Sequence, residues 1–203
     1  MSAGFTVPLD CVQEFLDKGV TVIPSLLSEE EVARSRGGLH AFLSTHGVDA
    51  GRLAETASAL RALSSTGGSG GVLDVFYEGW QLALVEHPRV FAAMSQLWAA
   101  SYARCASDGP FLHPYGRFDP NRGFLYLDRL CFRVPDTVSA LHADGVGKKR
   151  RGLQRSLTPH LDCCPHDLYA SSNKKWRPVQ AFLALTDTLD KDQVQRNPSP
   201  HNS

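Results

Sequence analysis

Leu157-Thr158-Pro159-His160-Leu161-Asp162-Cys163-Cys164-Pro165-His166 gathers two imidazoles, a carboxylate and two thiols within ten residues. Its centre is His160-x-Asp162. On extended backbone, side chains two apart project to the same face, with Leu161 on the other. One imidazole and one carboxylate then converge on a point. That pair is two-thirds of the two-His, one-carboxylate facial triad that holds non-haem Fe(II) while leaving coordination positions open. By itself the pair is a weak signal, more often a surface or turn feature than a metal site, so its flanks decide the reading. A rival use of the same residues is Zn2+, which prefers thiolate and imidazole ligands: His160, Cys163, Cys164 and His166 are all of the right type. Adjacent cysteines point to opposite faces of a strand, which argues against joint chelation. His142-Ala143-Asp144 repeats the spacing, but it lies beside Gly145 and a basic run and reads as a loop feature.

Upstream, Phe124 to Val134 alternates. Tyr126, Asp128, Leu130, Phe132 and Val134 share one face; Leu125, Leu127, Arg129, Cys131 and Arg133 share the other. Pro135-Asp136 stops this strand. Cys131 sits between two arginines that favour its thiolate, yet no general base accompanies it, so a structural thiol is the default reading. The run Lys148-Lys149-Arg150-Arg151 lies in a basic loop from Gly145 to Arg155 and reads as solvated surface. Downstream, Arg177 to Thr186 predicts a second strand, and Asp190 to Ser203 is polar, with Pro198 and Pro200, as in a disordered tail.

The N-terminal half has helical character. Leu9, Val12, Phe15 and Leu16 fall at helical spacing over residues 9–18, with Gly19 as the stop. Val20 to Ile23 predicts a short edge strand ended by Pro24. Ser28 with Glu31 is a capping box that opens a helix through Val32, Leu39, Phe42 and Leu43. Residues 52–63 predict a further helix, and Ser64 to Gly71 reads as a flexible linker. No G-K-[ST] follows those glycines, so a phosphate cradle is disfavoured. Residues 72–85 are ambiguous between helix and strand. His87-Pro88 starts a helix with Val90, Met94, Leu97 and Trp98 on one face. From about Asp108, prolines and glycines punctuate a long loop.

Bulk properties narrow the classes. The 203 residues carry 21 basic and 21 acidic side chains, so net charge gives no reason to expect nucleic acid or an anionic membrane as partner. No apolar run suits a bilayer span, and neither a secretory signal nor a peroxisomal tripeptide is visible. Five cysteines without framework spacing fit reduced thiols. The expectation is an intracellular, cytoplasmic protein of one domain over residues 1–190, followed by a tail over 191–203.

Four phrases now stand in order. They are Glu14-Phe-Leu-Asp-Lys-Gly-Val-Thr-Val-Ile-Pro-Ser-Leu-Leu-Ser-Glu29; Arg133-Val-Pro-Asp136; His160-x-Asp162; and Trp176-Arg-Pro-Val-Gln-Ala-Phe-Leu-Ala-Leu-Thr-Asp187. Over residues 12 to 190 the chain resembles the phytanoyl-CoA dioxygenase family of Fe(II)/2-oxoglutarate oxygenases. The resemblance implies an α+β fold: a double-stranded β-helix (a jelly roll, cupin-like), with the helical N-terminal half packed on it. It implies Fe(II) as cofactor, 2-oxoglutarate as cosubstrate, and O2 with a small molecule as the other reactants. The family oxidises 2-oxoglutarate to succinate and CO2 while hydroxylating its substrate. His160 and Asp162 match the family's metal pair. Arg133 stands where the family often has a basic residue reaching 2-oxoglutarate, for which a guanidinium is suited. Gln180 and Phe182 share a face of the strand that helps line the cosubstrate pocket.

Two family parts have no match. A third ligand, a His, comes from a later strand in the family, followed by an Arg for the distal carboxylate of 2-oxoglutarate. His201 and Arg196 are the downstream residues of those types, and no strand pattern aims either. The expectation is an incomplete, C-terminally truncated member, with incomplete β-helix strands. The alternative is a non-catalytic remnant or interaction protein, and a small zinc protein is the outsider.

Overall fold

A computed structural model describes residues 4–102, 112–113, 116–117, 128–147, 150–160, 162 and 179–187. These residues form a mixed helix and sheet structure. In chain order the elements are α1 (Leu9–Lys18), α2 (Glu29–Thr45), α3 (Leu53–Thr56), a 3-10 helix (Ala57–Leu63), β1 (Val72–Leu73), α4 (Gly79–Val85), α5 (Pro88–Tyr102), β2 (Leu112–His113), β3 (Gly116–Arg117), β4 (Leu130–Cys131) and α6 (Asp136–Leu141). Two antiparallel pairs make up the sheet structure among the described residues: β1 with β4, and β2 with β3. No helix among them is long and apolar enough to cross a membrane.

The chain divides into two compact units. One comprises Met1–Glu31, Leu82–Tyr126 and Leu161–Leu183; the other comprises Val32–Gln81, Leu127–His160 and Ala184–Ser203.

In the first unit, α1 packs against α5. Val7, Cys11 and Ala93 are buried together, with Phe5, Val12, Ile23 and Leu26 against them. The Gln96 side chain fastens the N-terminal segment to α5: its Oε1 accepts from Val7 N (2.9 Å) and its Nε2 donates to Phe5 O (2.8 Å). Val90, Met94, Leu97 and Trp98 are buried, as their spacing on α5 predicts. On α1 the buried position is Cys11, and Leu9 is exposed. Gly19 ends the helix in the left-handed conformation, φ 74°. The edge strand predicted over Val20–Ile23 does not form. Val20 and Val22 are exposed and the Val22 carbonyl accepts the Cys11 thiol (3.4 Å), so this segment lies on α1 without a ladder partner among the described residues.

The second unit holds the larger core: Leu39, Leu43, Val48, Ala57, Leu60, Leu73, Val75, Val134 and Leu153. The single helix expected over 52–63 is instead α3 followed by the 3-10 helix. Ala57, Leu60 and Leu63 explain why. Their spacing is three, the repeat of a 3-10 helix, so all three turn toward the core. The predicted alternation around β4 holds over its described part. Leu130 and Phe132 are half-buried and Val134 buried, whereas Arg129, Cys131 and Arg133 are exposed. Within it, ladder pairing covers Val72↔Cys131 and Leu73↔Leu130. Beyond β4 a side chain replaces a strand. Gln154 Nε2 donates to Phe132 O (2.7 Å) and its Oε1 accepts from Val134 N (2.9 Å), the two bonds a neighbouring backbone would make.

The glycine-rich stretch 64–71 is built rather than flexible. Gly70 N donates to Arg155 O (2.8 Å) and Arg155 N to Gly68 O (3.1 Å). Ser64 Oγ accepts from Gly68 N (3.1 Å) and donates to Val72 O (2.7 Å). Gly68 and Gly71 have φ of 80° and 68°, and each abuts backbone: a Cβ on Gly68 would collide with the Leu153 carbonyl, and one on Gly71 would lie 2.8 Å from Phe132 O. The linker reading fails because composition cannot register these non-local partners.

The second predicted strand, Arg177–Thr186, does not appear over its described part: residues 179–187 carry no ladder, and Phe182 is 84 % exposed. Residues 124–127, Lys148-Lys149, Cys163, Cys164, His166, Trp176, Arg177, Pro178, Arg196, His201 and the predicted tail lie outside the described residues.

Candidate metal centre

The approach to His160 is fixed from the glycine stretch. Arg155 is joined to Ser69 through backbone pairing and by its Nε, which donates to Ser69 Oγ (2.7 Å). Two residues on, Leu157 Cβ lies 3.3 Å from where a Cβ on Gly70 would stand. His160 follows three residues later, exposed and outside any ladder. Its Nδ1 is 2.6 Å from Thr158 O. A carbonyl only accepts, so Nδ1 carries the proton and in the neutral ring Nε2 carries the lone pair. A ring nitrogen donating to a backbone carbonyl is the usual arrangement behind a metal-ligating histidine.

Asp162 is exposed, and its Oδ2 accepts a hydrogen bond from Gln180 Nε2 (2.7 Å) within the first unit. His160 closes the second unit. The structure therefore brings together two of the residues singled out by sequence, Asp162 and Gln180. Phe182, expected beside Gln180 on a pocket wall, faces solvent.

Arg133 lies in the second unit, exposed, with its Cδ 2.7 Å from where a Cβ on Gly71 would stand. Its guanidinium makes no ion pair among the described residues, in contrast to Arg129, which reaches Asp74 (3.8 Å) and Asp128 (3.5 Å). The Cys131 thiol donates to Gly70 O (3.0 Å), and burial pushes its pKa up despite the Arg133 charge. The expected lowering by its arginine neighbours is overturned, and the residue, expected as a buried structural thiol, is exposed at the surface with its thiol turned to the Gly70 carbonyl.

Other candidates are occupied structurally. In His142-x-Asp144, His142 Nε2 donates to Ala54 O (3.0 Å) and Asp144 pairs with Arg61 (3.4 Å), whose guanidinium also donates to the His142 carbonyl. A second imidazole–carboxylate pair, His87–Glu31 (2.9 Å), was not singled out by motif. His87 Nδ1 accepts from Arg89 N (3.2 Å), so Nε2 is the donor to Glu31 and both ring nitrogens are committed at the start of α5. That pair joins helix ends and has no basic nitrogen to offer a substrate.

The donor set tests the fit of iron. An imidazole nitrogen and a carboxylate oxygen are both suited to Fe(II). Among the described residues, however, no group of three His, Cys, Asp or Glu side chains could hold a metal ion. His160 and Asp162 are of the residue types the expected triad needs, and the described residues supply no third donor beside them. No family model, curated protein or solved structure matches the chain.

Proposed function

We propose that this chain is an Fe(II)/2-oxoglutarate-dependent dioxygenase of the phytanoyl-CoA dioxygenase type, with a jelly-roll fold, hydroxylating a small molecule in a cytoplasmic setting. The observation that carries the reading is the His160 tautomer. The Thr158 carbonyl, which can only accept, calls for the proton on Nδ1, and a ring nitrogen donating to a backbone carbonyl is the tautomer a metal-ligating histidine uses. Asp162 supplies negative charge two residues away. Iron with 2-oxoglutarate, when bound, supplies the O2-dependent oxidising chemistry. The protein's own part is to hold and orient. His160 and Asp162 serve as ligands, and Arg133 pairs its guanidinium with a carboxylate of 2-oxoglutarate. Gln180 and Phe182 belong to the cosubstrate side of the site.

Anaerobic addition of Fe(II) and 2-oxoglutarate to the purified chain is expected to produce a charge-transfer band. His160→Ala and Asp162→Ala should each abolish it while leaving the far-ultraviolet circular dichroism unchanged. Absence of the band in the parent chain would overturn the assignment. A second reading, a non-catalytic interaction protein, is favoured by one observation: the segment assigned to the cosubstrate pocket presents Phe182 to solvent. Succinate formed from 2-oxoglutarate by the chain itself would exclude it.

A further inference from the structure

We infer that the aromatic corner between β1 and α4 is a docking surface for a segment of the same chain, Arg196-Asn197-Pro198-Ser199-Pro200. The corner is built to hold apolar rings out of the core. Gln81, 4 % exposed, donates from Nε2 to Val75 O (3.1 Å) and accepts at Oε1 from Glu78 N (3.2 Å). Its buried amide fixes both ends of a two-residue span. Inside that span Phe76 and Tyr77 are 41 % and 64 % exposed, with ring centroids 6.2 Å apart and planes tilted by 36°. Tyr77 holds φ 59°, a left-handed conformation that a residue with a Cβ keeps only where its surroundings enforce it. Burying two aromatic rings would stabilise the fold, yet the clamp keeps them in water. Glu78 follows directly, and its carboxylate makes no ion pair among the described residues.

Two ring faces beside a carboxylate suit a polyproline segment that carries a basic residue. Proline rings pack on aromatic faces, the polyproline helix has little conformational entropy left to lose, and a guanidinium pairs with a carboxylate. The chain carries such a segment, in which Pro198 and Pro200 follow Arg196. At three residues per turn, prolines two apart stand on adjacent edges of the helix and present two apolar sides to two tilted rings. From Gln193 onward Arg196 is the one side chain with a fixed charge, opposite in sign to Glu78. Residues 188–203 lie outside the described residues, and Ala184–Ser203 belong to the same unit as Val32–Gln81. The stretch from Asp187 to Arg196 extends to about 30 Å, the width of a small domain, so the chain is long enough for the contact. Tethering holds the segment at about millimolar local concentration, which populates even a weak contact. The docking makes no use of the proposed metal site.

The test is the rate of tryptic cleavage after Arg196 in the full chain under native conditions, read by mass spectrometry. Cleavage requires the segment to be undocked, so its rate follows the undocked population. The parent is compared with Tyr77→Gly, Glu78→Gln and Pro198→Ala/Pro200→Ala. Tyr77→Gly removes a ring and relieves the left-handed backbone, so the fold is retained, which circular dichroism checks. Peptides of residues 190–203 with and without the prolines correct for intrinsic cleavage rates. Tyr77→Gly and the double proline variant are each expected to speed cleavage about tenfold, as for an affinity of about 0.1 mM at millimolar local concentration, and Glu78→Gln about threefold. Cleavage after Lys18 should be unchanged. Equal rates in all four chains overturn the docking. Acceleration in only one of Tyr77→Gly and the double proline variant overturns the pairing of this segment with this corner. Protection that falls on dilution places the segment on a second copy and overturns a contact within one chain.

Discussion

At Gly68 the backbone takes φ 80°, and the space where a side chain would project is filled by the Leu153 carbonyl. Gly67, one residue earlier, has φ 60° but only the guanidinium end of the Arg155 side chain near it, at 4.0 Å. The two positions separate conformational cost from collision. Gly67→Ala pays the left-handed penalty alone, about 1 kcal/mol. Gly68→Ala pays that and must also push apart the backbone that ties the glycine stretch to residues 153–155, about 3 kcal/mol in all. Urea denaturation of the two variants is expected to show that ordering, and equal losses would mean that the packing against Leu153 contributes nothing. His160 and Asp162 illustrate the same division in what sequence can tell. Their chemical types and spacing are visible in the chain. The proton position on His160 and the amide on Asp162 depend on a carbonyl and a side chain that spacing does not identify.

The start of α2 was legible because its bonds are local. Ser28 Oγ accepts from Glu31 N (3.2 Å), and Glu31 Oε2 accepts from Ser28 N (2.7 Å), the reciprocal pair of a capping box. Ser28→Ala is expected to cost about 1 kcal/mol in equilibrium unfolding. Tertiary structure adds the bond from His87 to Glu31. The Ser28 amide first, and then His87, hold the Glu31 carboxyl down from 4.5 to about 2. A depressed carboxyl stabilises the folded chain fully above its unfolded value and loses that contribution as pH falls through the folded value. The melting temperature of Glu31→Gln should therefore lie below the parent's above pH 4.5, and the two curves should converge as pH approaches about 2. A difference that stays constant across that window would show that the charge is not what Glu31 contributes. The elements misread from sequence were those that needed a distant partner. Residues 20–23 and 179–187 have strand composition, but strand composition forms no ladder without a neighbour. Beyond β4, the hydrogen bonds of Phe132 and Val134 are completed by Gln154, in what composition marks as a basic surface loop.

For the whole chain, 21 basic and 21 acidic side chains and a pI near 7.1 leave little charge repulsion between molecules at neutral pH. Light scattering is expected to show the strongest self-association near pH 7, with dispersal about 1.5 pH units to either side. A profile flat in pH would indicate that association is governed by apolar surface such as Leu9 and Phe182. The amino-acid order by itself determined the main helices, the capping box, the alternating faces around Leu130 and the chemical inventory of the candidate site. Those properties follow from periodicity and from contacts within a turn or two, which the chain carries wherever it goes. Tertiary structure alone decided that 64–71 is a packed hub, that 57–63 winds as a 3-10 helix, that Cys131 is held as a neutral thiol donor and that Gln180 meets Asp162. Each depends on a carbonyl, a core wall or a carboxylate brought from elsewhere in the chain. Burial and hydrogen bonding between distant residues leave no local pattern to read.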